Sequence, residues 1–310
     1  TQARHRGARY LKKGSRVLRE GIAVRYAFID QHRQHYPVTR LCRLVEVSRS
    51  GYHAWRQRLP SARAKRDAQL ITEIRRVHVE FRQAYGYVKT WRTLQSRGIA
   101  CGKHRVARLR REHGIEPKRV KRQRTTVEHH KMEGAAPDLL QRHFTVDQPN
   151  RVWAGDMTFI RTREGWLHLA VMLDLYSRKV VGYATDSRPG QAVHLGALQM
   201  AIKARRPEAG LIHHTDRGPQ YRSGAYKEVL ASSGIQASMN GRKVPQDNAV
   251  AESFFSTLKN ELIHHVDLGS RAQAIALITD YIEQFYNRRR MHESLGYRTP
   301  EQFEKQYRGA

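Results

Sequence analysis

The chain has 310 residues, a formal net charge of +29 and only two cysteines, Cys42 and Cys101, which form no CxxC pair. This usage argues against a disulfide framework or a zinc finger and favours a reducing compartment, and no apolar stretch approaches the roughly 20 residues that a membrane helix needs. The cations concentrate in residues 1–150, which hold 35 Lys and Arg against 12 Asp and Glu. A polyanion is therefore the expected partner. Nucleic acid is favoured because each cation that neutralises a backbone phosphate releases a bound counterion.

The first 60 residues are predicted to form a helical segment. Residues 10–34 favour a helix whose apolar positions are sparse among many cations. Residues 36–58 contain two short helical patterns separated by Val47, Ser48 and Arg49. Two short helices with a tight connection are typical of a helix-turn-helix.

A second helix-turn-helix unit is predicted over residues 61–125. Apolar residues recur at helical spacing over 70–77, and two more helical patterns flank residues 98–102. In the last helix Val106 and Leu109 are expected to face inward. The opposite face is cationic, and we expect it to lie in a groove of DNA, whereas the alternative is a solvated helix of a small bundle. The cations concerned are Lys103, Arg105, Arg108 and Arg111.

A basic run, PKRVKRQR, occupies residues 117–124 at the end of this unit. Charge runs are usually solvated, but a run between two nucleic-acid-handling segments is expected to follow a phosphate backbone, with Arg119, Lys121 and Arg122 as contacts. Residues 126–146 are predicted to be a linker. The remaining residues, 147–310, are predicted to form a separate core.

The core is predicted to combine α and β structure. Three strands in an antiparallel meander are followed by alternating helices and strands, which favours a mixed five-stranded sheet with helices on its faces. The predicted strands are 151–160, 166–178, 179–187, 211–216 and 235–240. The predicted helices are 191–205, 223–233, 250–264 and 270–291.

Three carboxylates in this core are the candidate catalytic groups. Asp156 lies within an apolar strand, Asp216 ends the fourth strand, and Glu252 falls in the first turn of a helix, with 35 residues between the last two. Phosphodiester chemistry is served by two divalent ions about 3.5–4 Å apart, and hard cations prefer carboxylate oxygens. Each acid also has an ordinary structural interpretation, but the three together indicate a two-metal phosphoryl-transfer site.

Other polar residues near the three carboxylates are weaker candidates. Lys259 lies seven residues after Glu252 and therefore on the same helix face. It is a candidate to contact a phosphate, and the alternative is an ordinary surface lysine. Candidates to orient DNA are His213, His214, Gln220, Tyr221 and Asn248. Structural roles are expected for the remaining nearby acids: Asp174 pairing with Arg178, Asp186 at a strand end and Asp247 as a helix cap.

The segments VWAGDMTFI, GWLHLAVMLDLYSRKVVGYA, HHTDRGPQY and DNAVAESFFSTLKNEL resemble the catalytic core of DDE transposases and retroviral-type integrases. The resemblance extends to the second-frame transposases of the insertion-sequence family usually numbered three, and it covers nearly the whole chain. It implies a ribonuclease-H-like fold and Mg²⁺ or Mn²⁺, two ions per site, bound by Asp156, Asp216 and Glu252. It also implies nicking at element ends, attack by the freed 3′ hydroxyl to form a circular intermediate, and later insertion into target DNA.

Two departures from that pattern concern DNA contacts: the loop SMNGRKVPQDNA is less aromatic than expected, and WAGD replaces a bulkier pair before the first aspartate. The expected partners are double-stranded terminal repeats, target DNA and at least one further copy of the chain, with no membrane and no nucleotide. A cytoplasmic, nucleoid-associated protein is expected. The alternatives are a DNA-binding regulator with an inactive core and a structure-selective nuclease of the same fold.

Overall fold

The computed structural model describes residues 18–118, 136–141, 144–240 and 249–308. The chain divides into two compact units, one ending at Leu70 and the other beginning at Ile71. The predicted division into segments 1–60, 61–125, 126–146 and 147–310 stays a prediction. Among the described helices, none is both long and apolar enough to cross a bilayer.

The first unit is helical, as expected from its sequence. Ser48 begins one of its helices by accepting a hydrogen bond from the Gly51 amide at 3.0 Å, which is the usual role of an N-terminal serine cap. The predicted helix over residues 10–34 is wrong for 18–21, because Gly21 is extended and the helix begins after it; residues 10–17 lie outside the described residues. The helices are α1 (Ile22–His32), α2 (Val38–Leu44), α3 (Arg49–Gln57) and α4 (Ala62–Glu80), which continues into the second unit.

The second unit opens with a helical module made of the end of α4 together with α5 (Tyr87–Ser96) and α6 (Lys103–Glu112). Val106 and Leu109 of α6 are buried, as predicted. Arg110 is buried as well, and its guanidinium donates to the Thr90 hydroxyl and to the Tyr85 carbonyl, both at 2.9 Å. These bonds compensate the loss of water around the buried charge and join α6 to α5.

The sheet of the second unit is mixed and five-stranded, with the order β3-β2-β1-β4-β5. The first three strands form the predicted antiparallel meander, while β4 pairs in parallel with both β1 and β5. This ribonuclease-H-like arrangement confirms the predicted fold class. The strands are β1 (Val152–Thr162), β2 (Gly165–Asp174), β3 (Val180–Asp186), β4 (Ile212–Thr215) and β5 (Gln236–Met239).

Helices cover the sheet and bury a core that includes Trp153 and Met172. Gly182 of β3 is required by this packing, since a Cβ there would lie 2.3 Å from the Ala197 carbonyl oxygen of the covering helix. The helices are α7 (Gln191–Arg205), α8 (Gly224–Ser232), α9 (Ala249–Glu261), α10 (Arg271–Asp280) and α11 (Pro300–Arg308). Short 3₁₀ turns lie at Pro219–Arg222, Ile263–His265 and Glu293–Leu295.

The predicted helix over residues 270–291 is interrupted. α10 ends at Asp280, and a π-helical turn, Tyr281–Tyr286, follows it. Asn287 then turns toward the sheet, where its side-chain amide accepts from the Val180 amide and donates to the Val180 carbonyl, both at 3.0 Å. The side chain thereby pairs with the free edge of β3, which accounts for the end of the helix.

Asp174 does not form its predicted ion pair with Arg178. Its carboxylate is fully buried, lies 3.6 Å from the Arg205 guanidinium, and accepts from the Asn150 amide at 2.7 Å and the Tyr176 amide at 2.9 Å. Arg205 is held in turn by Glu304 at 2.9 Å. The acid is therefore a structural element of a buried network, as predicted, but with another partner.

Candidate active site

Pairing of β1 with β4 brings two of the predicted carboxylates to equivalent positions of neighbouring strands. Ala154 is in register with His214, and each aspartate follows two residues later, Asp156 within β1 and Asp216 directly after β4. Adjacent strands are about 4.8 Å apart, so the two side chains begin as neighbours. Glu252 is in the first turn of α9, is exposed, and approaches from a different element.

Asp156 has an electrostatic environment unlike that of an ordinary aspartate. Its pKa is raised from 3.8 to about 7, chiefly by burial and further by the neighbouring charges of Asp216 and Glu252, while two groups oppose the change. These are the Met157 amide, which donates to Asp156 Oδ1 at 2.7 Å, and the cation of Lys259. The three predicted carboxylates and Lys259 therefore share one electrostatic neighbourhood, in which negative charge is in excess.

The Asp216 carboxylate is oriented by the loop that follows it. The Gly218 amide donates to Asp216 Oδ1 at 2.9 Å, and the Arg217 guanidinium donates to the Asn240 carbonyl at 2.7 Å. The loop is thus tied to the end of β5. Gln220 lies in the next turn and is partly exposed.

A layer of histidine and tyrosine side chains lies behind the carboxylates. His213 is buried, with its Nε2 2.8 Å from the Tyr226 hydroxyl, and burial lowers its pKa to about 3, so the ring is neutral. A Cβ at residue 155 would lie 2.6 Å from the His213 ring, which explains the glycine beside Asp156. The Tyr221 ring packs edge-on against His194, with centroids 4.9 Å apart.

The sequence pattern did not single out His194 and Tyr226, because buried histidines and tyrosines in helices give no distinctive spacing. Tyr221 was expected at a DNA contact but is 2% exposed in the core, and His213 and His214, expected there too, are each 1% exposed. The pKa of Tyr221 is raised by burial and by the charges of Asp156 and Asp216, which places the phenol next to the carboxylates. The HHTDRGPQY motif therefore indicated correctly that Tyr221 lies near the carboxylates, although not that it is buried.

The donor set suits a hard divalent cation, since it consists of carboxylate oxygens whose mutual repulsion a cation would relieve. Asp156, Asp216 and Glu252 are the residues that would hold it. Within the described residues, no three His, Cys, Asp or Glu side chains already lie close enough together to form a metal site. The fit accordingly rests on the donor chemistry and on the unbalanced negative charge at Asp156.

The predicted DNA-contacting cations of α6 differ in their exposure. Lys103 and Arg111 are exposed, while Arg105 and Arg108 are partly buried. The Arg108 guanidinium donates to both carboxylate oxygens of Glu112, at 3.0 and 2.8 Å. The remaining predicted contacts lie outside the described residues: Arg119, Lys121, Arg122 and Asn248.

Comparison with known families finds two kinds of domain in the chain. Integrase core domain families match residues 146–245 and 233–300, and an HTH-like domain family matches residues 65–123. The two core matches span the meander, β4, β5 and α9, and the third spans α4 to α6.

Curated relatives cover most of the chain. The insertion element IS600 31 kDa protein of Shigella sonnei is 41% identical over 86% of this chain and 98% of its own length. The transposase for IS904 of Lactococcus lactis is 39% identical over 80% of this chain and 98% of its own length. The transposase InsF for IS3A of Escherichia coli K12 is 36% identical over 91% of this chain and 98% of its own length.

Solved structures with a similar chain trace include retroviral integrases. A simian T-cell lymphotropic virus intasome matches with a TM-score of 0.43 and 16% identity over 74% of each chain. The HTLV-2 integrase catalytic core domain in complex with magnesium matches with a TM-score of 0.39 and 20% identity, over 51% of this chain and 97% of its own.

The integrase core match, the HTH-like match and the curated relatives together cover most of the chain and indicate the same kind of protein. The resemblance inferred from the sequence motifs is thereby confirmed. The chain belongs to the IS3 family of insertion-sequence transposases and is a DNA transposase with an integrase core.

Proposed function

We propose that this transposase nicks one strand at each end of its element and then joins the freed 3′ hydroxyl to a second DNA segment, using divalent metal ions held by Asp156, Asp216 and Glu252. The observation that carries the proposal is the meeting of three carboxylates: β1–β4 pairing sets Asp156 beside Asp216, and Asp156, whose pKa is raised mainly by burial, also lies within range of the charges of Asp216 and Glu252. An ordinary structural aspartate is stabilised by donors and cations, whereas this one is surrounded by excess negative charge.

Bound Mg²⁺ or Mn²⁺ would activate the attacking oxygen and neutralise charge at the phosphate. A pair of ions would serve both the attacking and the leaving oxygen. The chain's own residues perform the positioning. The β1–β4 pairing holds Asp156 and Asp216 side by side, and α9 presents Glu252. The layer of His194, Tyr221 and Tyr226 supports the two strands from behind, so we assign Tyr221 to positioning of the carboxylates.

Lys259 is the candidate phosphate contact within the site. Burial lowers its pKa, and the Asp156 charge opposes that change, so the ammonium lies near the carboxylates on the same face of α9 as Glu252. A cation there offsets the charge of an incoming phosphate. We assign Gln220, which is partly exposed in the turn after Asp216, to orienting the same DNA strand.

Recognition of DNA outside the site is assigned to the HTH-like module. Lys103 and Arg111 are free to meet phosphates on the surface of α6, with Arg105 beside them and Arg108 shared with Glu112. The basic run with Arg119, Lys121 and Arg122, together with Asn248, completes the proposed contacts. Because two ends must be processed in concert, we propose a homo-oligomer, at least a dimer, on paired terminal repeats.

The test uses labelled duplexes carrying the ends of the element that encodes the chain, with Mg²⁺ or Mn²⁺. Wild type is expected to nick and join these ends, while Asp156→Asn loses at least about 100-fold in rate, since changing residues that only orient metal ligands already costs about 10–100-fold. Asp186→Asn is the matched control, because Asp186 lies at the end of β3 and accepts from the Arg188 amide at 2.9 Å.

Equal products from wild type and Asp156→Asn would refute the proposal. Nicking without joining would instead indicate a nuclease of the same fold. Salt-sensitive binding without any metal-dependent cleavage would indicate a DNA-binding regulator whose core is inactive.

A further inference from the structure

The first compact unit contains a three-helix bundle that precedes the HTH-like family match, which begins at residue 65. Helices α1, α2 and α3 pack around a small hydrophobic core drawn from residues of this unit. Its fully buried members include Ile29 of α1, Leu41 of α2 and Tyr52 of α3. The unit therefore has a core of its own, as an independent module requires.

The connection between α2 and α3 is a tight turn of four residues, 45–48. Glu46 adopts a left-handed conformation with φ of +53°, and the Val47 amide donates to the Cys42 carbonyl at 3.0 Å. This is the hydrogen-bond pattern of the Schellman turn that ends many helices, and the Ser48 cap begins the next helix at once. Two short helices joined tightly in this way are the arrangement of helix-turn-helix DNA-binding proteins.

One face of α3 is fixed against α1. The Tyr52 hydroxyl donates to Asp30 Oδ1 at 2.8 Å, and the centre of the Trp55 ring lies 5.7 Å from that of Tyr26. Gly51 permits this close approach, because a Cβ there would lie 2.3 Å from the Tyr26 hydroxyl oxygen. Residues 51, 52 and 55 thus form the side of α3 that packs within the bundle.

The opposite face of α3 is polar and carries no acid. Residues 49, 50, 53, 54 and 57 fall within an arc of about 140° at roughly 100° per residue, and Tyr52 lies outside this arc. Of these residues, only His53 is partly buried, and the exposed ones are Arg49, Ser50, Ala54 and Gln57. Within the part of the chain that the structure describes, the Arg49 side chain forms no ion pair and no hydrogen bond.

The charge of this unit suits a polyanion. Residues 18–60 contain eight arginines and three acids. One of these acids, Asp30, is engaged with two of the arginines, at 3.0 and 3.6 Å. Arg40 and Arg43 of α2 are exposed as well. The surface around the turn is therefore complementary to the phosphates of a nucleic acid.

From this arrangement we propose that α3 is a second DNA-reading helix, which enters the major groove of double-stranded DNA and contacts base edges through Arg49, His53 and Gln57. The major groove is wide enough to admit an α-helix, and the small side chains of Ser50 and Ala54 allow close approach. An arginine fork matches the two acceptors of guanine, and a glutamine amide matches the donor and acceptor of adenine.

The α2 helix is assigned to the DNA backbone. In helix-turn-helix proteins the first helix of the pair crosses the backbone, so Arg40 and Arg43 contact phosphates. This surface is additional to α6, because α3 and α6 belong to different compact units. Two reading helices on one chain select a composite DNA sequence, of which each helix specifies a part. Only the assignment of that DNA to the element's ends rests on the proposed function.

The experiment selects binding sites from a pool of random-sequence duplexes, with the full chain in chelator so that no catalysis is needed. Wild type is expected to enrich a sequence with two separate parts. Arg49→Ala is expected to reduce the preference at one position of one part by about fivefold or more, and to leave the other part unchanged. Arg206→Ala, which removes an exposed arginine directly after α7, is the matched control.

Two further variants separate base reading from backbone contact. Arg49→Gln is expected to change the preferred base at the same position from guanine toward adenine. Arg43→Gln is expected to weaken binding of every duplex alike, and to reduce the slope of log affinity against log salt by about 0.9. All variants should melt at the temperature of wild type, because both arginines are exposed.

Identical selected sequences from Arg49→Ala, Arg49→Gln and Arg206→Ala would overturn the proposal. An equal loss of affinity for all duplexes in both Arg49 variants would overturn it as well, since α3 would then touch only the backbone. The metal-dependent cleavage assay is independent of this selection. Cleavage of element ends by wild type, together with unchanged base preferences in the Arg49 variants, would retain the proposed function and reject the second reading helix.

Discussion

Replacement of Asp156 by asparagine is expected to stabilise the metal-free protein while it abolishes activity. The folded protein holds the Asp156 proton up to a pKa of about 7, whereas the ordinary value is 3.8. The folded state therefore binds more protons than the unfolded state between these values, so stability falls as pH rises from about 4 to about 7 and then stays level. Asparagine has nearly the same shape and cannot ionise.

The size of this stabilisation follows from the difference between the ordinary pKa of 3.8 and the raised pKa of about 7. Each pKa unit corresponds to about 1.36 kcal/mol, so ionised Asp156 costs up to about 4 kcal/mol at pH 8. Water penetration and relaxation of neighbouring side chains reduce such costs, and we expect Asp156→Asn to gain about 2–4 kcal/mol at pH 8. At pH 4 the gain should nearly vanish, because wild type is then protonated in the folded state.

The assay is urea unfolding in chelator at pH 4 and pH 8, followed by tryptophan fluorescence, since Trp153 is fully buried in the same strand as Asp156. Asp186→Asn serves as the control and should show no gain that grows with pH. Added Mg²⁺ should stabilise wild type and leave Asp156→Asn unchanged. Equal stability of wild type and Asp156→Asn at pH 8 would refute the view that Asp156 is held in a desolvated, negatively charged site.

Two further substitutions test the packing that supports the site. Glu261→Gln leaves Arg290 buried without its ion-pair partner and should cost about 3–5 kcal/mol in urea unfolding, whereas Glu301→Gln, in an exposed pair 3.9 Å from its arginine, should cost less than about 1 kcal/mol. Gly182→Ala places a Cβ 2.3 Å from a backbone carbonyl of α7 and should lower the melting temperature or prevent folding; Gly224→Ala, with nothing within 4 Å, should be neutral or slightly stabilising. Equal effects within either pair would contradict the packing described.

The strands and the carboxylate positions were open to prediction because both depend on local signals. Short runs rich in apolar residues identify β1 and β2, and Gly165, with φ of +112°, begins β2 directly after their connection. Asp156 is conspicuous within an apolar strand, and Asp216 precedes a glycine-proline turn. Each of these features can be recognised within a window of about ten residues.

The partners of individual side chains were not open to prediction in this way. Asp174 has Arg178 four residues away, yet it pairs with Arg205, because the fold brings the end of α7 beneath the buried carboxylate. The end of the last long helix was likewise invisible, since it depends on Asn287 reaching an edge strand more than 100 residues earlier in the chain.

The three catalytic candidates differ in how firmly the fold positions them. Asp156 and Asp216 are set by strand pairing, which fixes their separation through backbone hydrogen bonds. Glu252 depends instead on the placement of α9, and the far end of that helix is held by the ion pair between Glu261 and Arg290, next to the contact of Met291 with the HTH-like module. The HTH-like module is thus linked through Met291 and Arg290 to α9, the helix that carries Glu252, whereas strand pairing positions Asp156 and Asp216.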